Sequence, residues 1–435
     1  SLCVDESSPW TSELIELLKK AFPYVHITLG NYFPSIFVEK ALKKFPLADS
    51  VILGEGEQTL STLVHALQYE KNWKELPGLA FFDQEQSKIQ INAKQSLIDN
   101  LDEIPYADRY LPIEKQELTE VMLEGTRGCA FNCAFCAVRP FTQVSKGKII
   151  RIRSAENIFR EIEGICRKYP KIRSFRFVDP DFIAPYTKER AKEFISLLKN
   201  SDLDVDLMMD TRASSIKKNE ELLKEFHEVG LKRLYIGIES GSDAILKKMR
   251  KGVASKENLE GMTILKKLKI DFSYGFMMVT PWTTEEDIEK NIEMLRKIGS
   301  IEFRSLFHEL TLIPGTAAYK EQEKLGRLKW SGHLYYYTYE TTSKKVETFR
   351  RLNQLLQKKY SECFGFAAGY IYEGIRQSKR LNDNEFASRI EEVSDQLFLD
   401  VFDMVWNEAG MEIINPIQDE KFVDMMYQKF SPKFL

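Results

Sequence analysis

The chain has 435 residues, and its 62 Lys and Arg residues stand against 65 Asp and Glu residues, a formal net charge of −3. At roughly 100–200 residues per domain, this length predicts two or three domains. A composition of 43% hydrophobic and 29% charged residues is typical of a globular protein and excludes a disordered one.

The charge balance and the terminal sequence bear on partners and location. Nearly equal numbers of acidic and basic residues argue against nucleic acid and anionic membrane surfaces as partners. No apolar run approaches the roughly 20 residues that span a bilayer. The first residues, 1–5, lack the basic start and apolar stretch of a signal peptide. We therefore expect a cytoplasmic protein without a membrane partner.

Residues 1–95 alternate strand and helix patterns. Strands are predicted at 2–4, 25–29 and 50–53, and helices at 11–22, 35–45 and 58–68. Repeated units of strand, glycine turn and helix predict an open parallel sheet, whose ligands bind at the carboxyl ends of its strands. Because three strands make a small sheet, we expect this domain to be incomplete and to have earlier units.

Three further regions follow along the chain. Residues 96–119 are predicted to be a polar connector. Residues 120–326 resume the alternation with six strands, at 121–124, 174–178, 204–209, 233–238, 271–278 and 304–311, separated by helices such as 155–168, 188–199, 219–229 and 285–298. Six successive units predict a parallel barrel or part-barrel with its chemistry at the C-terminal strand ends. Residues 327–435 are predicted to be mostly helical, with helices at 343–360 and 386–408 and an aromatic stretch at 334–339 that covers the barrel mouth.

Cys129, Cys133 and Cys136 follow the first barrel strand with the spacing C-x3-C-x2-C. Thiolates bind soft metals and iron–sulfur clusters. Three of them can hold three irons of a [4Fe–4S] cube and leave the fourth iron open to a ligand. A closed zinc site would need a fourth ligand, but the remaining cysteines and the five histidines are scattered in sequence. A zinc-binding or scaffold protein without enzymatic activity is the alternative from another class, and iron and sulfide analysis would separate the two.

The cysteine motif, with Phe135 before its last cysteine and the barrel series behind it, resembles the radical S-adenosylmethionine (SAM) superfamily over residues 120–326. The resemblance implies a [4Fe–4S] cluster on the three cysteines, with SAM bound to the open iron beside Phe135. In that family one electron cleaves SAM to methionine and a 5′-deoxyadenosyl radical. The resemblance also implies a small-molecule substrate and a reductant such as flavodoxin or ferredoxin.

Later segments resemble the same family. Asp179 and Asp181 end the second barrel strand, where the family places polar groups facing the SAM amino group, although a turn around Pro180 alone would explain them. Arg212 ends the third strand and suits the SAM carboxylate. Residues 236–242 resemble the G-I-E-S-G-S signature of the branch that contains methylthiotransferases and cobalamin-binding enzymes, which implies that Glu239 and Ser240 contact SAM. Residues 278–285 retain little of the branch's G-x-P-G-E-T turn, whereas 312–316 match its P-G-T close.

Residues 1–95 resemble the back half of the cobalamin-binding domain of this branch, with a G-E-G-E turn at 54–57. The resemblance implies that Gly30, Asn31, Gly54, Glu55 and Gly56 lie against cobalamin, because small residues at strand ends let a corrin approach the backbone. The domain's D-x-H-x-x-G segment is absent, and an asparagine replaces the second glycine of the first turn. A degenerate scaffold and a site for another nucleotide ligand are the alternatives.

The sequence thus predicts an α/β fold, with a partial (βα)6 radical SAM barrel preceded by an incomplete Rossmann-like domain and followed by a helical region. The predicted activity is cobalamin-dependent methyl transfer to an unactivated carbon of a small metabolite, as in natural product biosynthesis. The alternative is a ring contraction, rearrangement or cyclisation of a small molecule or nucleotide without methyl transfer. Methylthio transfer to tRNA is disfavoured, because that group carries an N-terminal domain with its own cysteines and only Cys3 precedes the motif here.

Overall fold

The computed structural model describes residues 2–3, 10–109, 120–299, 301–330, 337–355 and 384–409, together with residues 421, 424, 425 and 428. The chain divides into two compact units. The first comprises Ser1–Asp210, Glu225–Lys232 and Leu312–Thr338, and the second comprises Thr211–Lys224, Arg233–Thr311 and Tyr339–Leu435. The domain boundaries given above remain predictions. Within the described ranges, no helix combines the length and apolarity needed to cross a bilayer.

A five-stranded sheet opens the first unit, with strands in chain order: β1 (Leu2–Cys3), β2 (Thr28–Gly30), β3 (Ser50–Ile52), β4 (Leu79–Asp83) and β5 (Lys88–Ile91). The first three strands are parallel, and β4 and β5 form an antiparallel hairpin at one edge. The helices are α1 (Trp10–Ala21), α2 (Tyr32–Ile36), α3 (Val38–Lys44) and α4 (Glu57–Gln68). Buried Leu29, Val51 and Ala80 lie in its core. The predicted small parallel sheet is therefore present.

The single helix predicted over residues 35–45 is wrong, because α2 and α3 replace it. The helical segment begins earlier, at Tyr32, where the Asn31 side chain accepts a hydrogen bond from the Tyr32 N–H at 2.7 Å. Pro34 is tolerated there because the first-turn N–H groups of a helix have no intrahelical acceptor. The break falls at Phe37, whose backbone leaves the helical region.

The first unit also contains parallel strands of the larger sheet: β6 (Glu120–Leu123), β9 (Ser174–Phe177) and β10 (Asp206–Arg212). β9 pairs with both of the others. A two-stranded ribbon of β7 (Thr126–Arg127) and β8 (Arg151–Ile152) follows β6. The helices are α5 (Val138–Thr142), α6 (Ala155–Lys168) and α7 (Lys188–Lys199), with 3-10 turns at Trp73–Glu75, Leu101–Glu103 and Pro185–Thr187. Phe177, Phe182 and Phe194 pack together in the core behind β9.

The second unit contains the parallel pair β11 (Leu231–Glu239) and β12 (Asp271–Phe276), with a bulge in β11 near its end. α8 (Ala213–Lys218) and α9 (Glu220–Glu228) precede this pair, and residues 225–228 of α9 belong to the first unit. α10 (Asp243–Lys248) and α11 (Ser255–Leu268) lie between the two strands, and α12 (Glu285–Ile298) and α13 (Phe303–Phe307) follow them. α14 (Ala317–Lys324) lies later in the chain, in the first unit. These strands and helices, with those of the first unit, confirm the predicted α/β class.

The predicted sixth strand at 304–311 is wrong. Residues 303–307 form α13, and the strand is reduced to an isolated parallel bridge between Val279 and Glu309. The apolar residues of this segment recur at helical rather than alternating spacing. Phe307 is buried and stacks near Phe349 and Phe402, at centroid distances of 6.3 and 6.4 Å. Burial against the C-terminal helices therefore decided the conformation.

The C-terminal region is mostly helical where it is described, as predicted. Residues 344–355 form α15, and Asn384–Ala409 forms α16. Short strands β13 (Leu328–Trp330) and β14 (Tyr337–Tyr339) pair before them. Of the predicted aromatic stretch, residues 334–336 lie outside the described residues. Tyr339 is fully buried and its hydroxyl donates to the Val279 carbonyl at 3.0 Å, which is a packing role.

Candidate active site

The three cysteines lie on the loop of residues 128–150, which connects β7 to β8. All three are half-buried and none is in a disulfide. The Cys136 N–H donates to the Cys133 carbonyl at 3.2 Å, and the carbonyl of buried Ala134 accepts a hydrogen bond from Ala318 at 2.8 Å. The turn that carries the cysteines is therefore anchored to the start of α14, and Phe135 lies half-buried within it.

The donor set of this loop fits an iron–sulfur cluster. Among the described residues, no three His, Cys, Asp or Glu side chains converge as the ligands of one metal ion. A [4Fe–4S] cube takes one thiolate per iron, so its ligands lie farther apart than those of a single ion. Three thiols on one anchored turn, with no fourth ligand converging on them among the described residues, match the cluster better than zinc, whose structural sites are tetrahedral.

Two tyrosines that the sequence did not single out lie near the cysteines. Burial, followed by the charges of Cys136 and Glu124, raises the pKa of Tyr32 to about 12. Burial, followed by the charge of Cys129, also raises the pKa of Tyr186 well above its ordinary value. Both phenols stay protonated at neutral pH. They shield part of the thiol surroundings from solvent. The sequence did not reveal them, because Tyr32, Tyr186 and the cysteine loop lie far apart along the chain and only the fold brings them together.

The Asp179 side chain lies in the interior of the first unit. It is fully buried, its Oδ2 accepts a hydrogen bond from the Gly125 N–H at 2.8 Å, and its Oδ1 lies 3.8 Å from Arg190 Nη1. Burial raises the pKa of Asp179 to about 6 although the Arg190 charge opposes the rise. Asp179 thus orders the backbone just before the cysteine loop, and Asp181 is buried nearby in sequence.

Another carboxylate of the first unit is better exposed than the two predicted ones. Asp210, near the end of β10, is partly exposed and its Oδ1 lies 3.3 Å from Arg176 Nη2 on β9. Burial raises the pKa of Asp210, and the Arg176 charge opposes that rise. Arg176 and Asp210 lie at half-buried positions of neighbouring parallel strands, and these positions alternate with fully buried ones. That alternation is the sequence signal for the pair.

In the second unit, Arg212, Glu239 and Lys251 come together. The Glu239 carboxylate accepts a hydrogen bond from Lys251 Nζ at 2.6 Å, and their side chains are only 9% and 5% exposed. Arg212 donates to the Lys251 carbonyl. Glu239 has a φ of +68° at the bulge of β11, a conformation that costs free energy in a non-glycine residue. The structure thus places two of the predicted residues with a lysine that the sequence missed.

Two glycines leave room for polar side chains here. A Cβ on Gly237 would lie 2.5 Å from Lys251 Nζ, and a Cβ on Gly275 would lie 2.7 Å from Tyr235 Oη. No side chain fits at either position without displacing these groups. Gly237 on β11 therefore leaves a polar recess that contains a buried carboxylate and a buried ammonium group, which compensate each other's charge.

Ser240 is placed differently from Glu239. Its hydroxyl is fully buried and donates to Asn291 Oδ1 at 2.7 Å, and the same oxygen accepts the Gly241 N–H at 2.7 Å. Ser242 in turn hydrogen-bonds Asp287. These contacts fix the turn after β11 on α12. The structure therefore gives Ser240 a role in shaping the backbone beside Glu239.

The two glycine turns of the small sheet lie side by side, as predicted from adjacent parallel strands. Ser35 Oγ donates to the Asn31 carbonyl at 2.7 Å and accepts from the Gly54 N–H at 3.0 Å. Gly54 has a φ of +75°, and a Cβ there would lie 2.5 Å from Ser145 Oγ. We call the two turns, Gly30–Asn31 and Gly54–Gly56, the glycine rim of the small sheet. Because Ser145 belongs to the cysteine loop, the rim packs against that loop at Gly54.

Gly56 and Glu55, two of the five predicted rim residues, have different surroundings. Gly56 has a φ of −95°, so a left-handed backbone does not explain a glycine there, and only Ile52 lies near a Cβ, at 3.7 Å. Glu55 is turned away from solvent to form ion pairs with Arg151 and Arg127. Gly56 thus offers open space for a ligand, whereas Glu55 is engaged within the protein.

Comparison with known proteins identifies the central part of the chain. Residues 123–295 match the radical SAM superfamily. Over 341 residues the chain is 28% identical to an uncharacterized methyltransferase of Pyrococcus horikoshii, covering 77% of this chain and 72% of the relative. Over 335 residues it is 23% identical to the anaerobic magnesium-protoporphyrin IX monomethyl ester cyclase of a Synechocystis species, covering 74% of this chain and 64% of the relative. The chain therefore spans less than two thirds of that cyclase.

A solved structure resembles nearly the whole chain. The structure of the cobalamin-dependent S-adenosylmethionine radical enzyme OxsB with aqua-cobalamin bound superposes with a TM-score of 0.70 at 17% identity, covering 99% of this chain and 75% of that chain. At this identity the likeness concerns the fold. The cysteine loop and the recess at Glu239 both lie within residues 123–295, and the chain therefore contains a radical SAM domain.

Proposed function

We propose that this chain is a cobalamin-dependent radical SAM methyltransferase that acts on an unactivated carbon of a small metabolite. The observation that carries the proposal is the packing of the glycine rim of the small sheet, at Gly54, against Ser145 of the cysteine loop. A relative named as a methyltransferase and a cobalamin-dependent enzyme with the same fold support it. When bound, the cluster supplies the electron that cleaves SAM and cobalamin supplies the methyl group.

The residues of the chain bind and orient these groups in the proposal. Cys129, Cys133 and Cys136 hold the cluster. The methionine end of SAM carries an ammonium and a carboxylate group, which suit the Glu239 carboxylate and the guanidinium of Arg212. Phe135 covers the cluster side of the loop. Water exclusion by the buried surroundings protects a reactive radical from side reactions.

A second candidate is a radical SAM reaction that forms or rearranges a ring without transferring a methyl group. The cyclase among the relatives favours it. Both candidates use the cysteine loop and the recess at Glu239 in the same way. They differ in whether a second SAM molecule is consumed to methylate cobalt, so the products of SAM distinguish them.

Turnover under anaerobic conditions tests the proposal. Purified protein reconstituted with iron and sulfide is incubated with SAM, titanium(III) and cobalamin. We expect both 5′-deoxyadenosine and S-adenosylhomocysteine, and omission of cobalamin should remove only the second product. 5′-Deoxyadenosine alone in every condition would favour the ring-forming candidate. Absence of both products from protein with a full cluster would contradict both candidates.

Glu239→Gln is expected to weaken SAM binding by about tenfold or more, equivalent to roughly 1.4 kcal/mol, while the iron content stays unchanged. The amide oxygen still accepts a hydrogen bond from an ammonium group but carries no charge to compensate it, and Lys251 loses its buried counter-ion. SAM binding is measured by titration of the cluster's EPR signal.

The matched control for Glu239 is Glu260→Gln in the same unit, which removes a carboxylate from a surface ion pair with Lys217. It should leave SAM binding unchanged. A structure with SAM bound and the Glu239 carboxylate directed away from it would contradict the assignment.

A further inference from the structure

Two arginines face each other at the base of the cysteine loop. In the antiparallel ribbon of β7 and β8, Arg127 lies directly opposite Arg151, and the loop of residues 128–150 between them carries the three cysteines. Like charges directly opposite each other on neighbouring strands destabilise the pairing. The base of the loop therefore needs a carboxylate to compensate the two guanidinium groups.

Glu55 supplies this carboxylate from the small sheet. Its Oε1 lies 2.5 Å from Arg151 Nη2 and its Oε2 lies 2.7 Å from Arg151 Nη1, a bidentate pair. Oε2 also lies 3.5 Å from Arg127 Nη1. The Arg151 side chain is only 1% exposed, and within the described part of the chain Glu55 is its one ion-pair partner. Arg127 has two others, Glu57 at 2.6 Å and Glu124 at 2.7 Å.

The backbone on both sides of this contact is tightly packed. Gly128, the first residue of the loop, has a φ of +79°, and a Cβ there would lie 1.8 Å from the Ile149 carbonyl oxygen. Gly54, next to Glu55, has a φ of +75° and packs on Ser145. The turn of the small sheet therefore lies against the loop, and the Glu55 carboxylate reaches both arginines at the loop base.

Both facing arginines carry a full charge, because a guanidinium group is not deprotonated in proteins. Their side chains repel each other at neutral pH unless a carboxylate lies between them.

We propose that Glu55 is a positioning residue that holds the base of the cysteine loop closed by neutralising Arg127 and Arg151, and that it does not contact cobalamin. The inference rests on the proposed function insofar as the loop holds a cluster. Residues that orient metal ligands without touching the metal typically change metal affinity by roughly 10–100-fold when they are replaced.

Glu55→Gln tests the proposal in the full chain after anaerobic reconstitution. We expect iron release to a ferrous chelator to become roughly 10–100-fold faster. We also expect SAM to change the EPR signal of the reduced cluster in a different way from the unaltered chain. Glu55→Asp, which keeps the charge, should recover part of the retention. The matched control is Glu39→Gln on α3, which breaks an exposed ion pair with Lys43 and should behave as the unaltered chain.

The double variant Glu55→Gln/Arg151→Met separates charge compensation from a general structural effect. It removes the carboxylate and one of the two facing cations, so it should retain iron better than Glu55→Gln alone. Failure of this recovery, or unchanged iron release in Glu55→Gln, would overturn the proposal.

The cobalt content and the folding of Glu55→Gln also bear on the proposal. Loss of bound cobalt from Glu55→Gln with normal iron retention would overturn the proposal and assign Glu55 to cobalamin. If Glu55→Gln does not fold, the double variant is the test: normal iron retention by the double variant supports charge compensation, and loss of iron from it overturns the proposal. An unaltered chain that binds no cluster would overturn the proposed function instead.

Discussion

Replacement of any one of Cys129, Cys133 and Cys136 by Ala is expected to abolish SAM cleavage. Each thiolate holds a different iron in the proposed cluster, so no neighbouring ligand substitutes for a lost one. Among the described residues, no three His, Cys, Asp or Glu side chains converge as the ligands of one metal ion, so no preformed site elsewhere offers a substitute. Formation of 5′-deoxyadenosine under anaerobic conditions should fall below detection, and the iron and sulfide content should fall with it.

Cys166→Ala is the matched control for the cysteine variants. Cys166 lies on α6 outside the loop, and its Sγ is 3.8 Å from the Ile172 carbonyl oxygen. This variant should keep the cluster and its activity. Retention of the visible cluster absorbance and of SAM cleavage by the triple cysteine variant would show that the assignment is wrong.

Gly56→Leu is expected to lose cobalamin and to keep the cluster. The backbone at Gly56 allows any residue, and a Cβ there meets nothing closer than Ile52 at 3.7 Å, so the fold should tolerate the change. A leucine side chain would, however, project from the turn that the proposal places against the corrin. Bound cobalt, measured by elemental analysis after reconstitution, should drop to background while iron and some abortive cleavage of SAM remain.

Variants at two other glycines serve as controls for Gly56→Leu. Gly164 on α6 has nothing within 4 Å of a Cβ, so Gly164→Leu should leave both cobalt and iron unchanged. Gly54→Ala should lower both, because it strains a left-handed backbone and meets Ser145 of the cysteine loop at 2.5 Å. If the unaltered chain binds no cobalt, the methyltransferase proposal fails and the ring-forming candidate takes its place.

The sequence by itself determined the bounds of several helices and predicted the cysteine site. The helices Ala155–Lys168, Lys188–Lys199 and Glu285–Ile298 have the bounds that their apolar periodicity predicts. Caps mark the start of the first and the third of these helices, since Ser154 accepts the Asn157 N–H and Thr284 forms a capping box with Asp287. Periodicity, caps and cysteine spacing involve residues that are close in sequence, so they can be recognised without knowing the fold.

Only the tertiary structure decided the partners of the charged groups. Glu55 reaches Arg151 across 96 positions of sequence, and Asp179 reaches back to Gly125. Lys251 was missed because its role depends on the room left by Gly237, which no local pattern reports. A buried charge requires a counter-charge or hydrogen bonds. Which residue supplies them follows from how the strands and loops pack, and that is set by the whole chain.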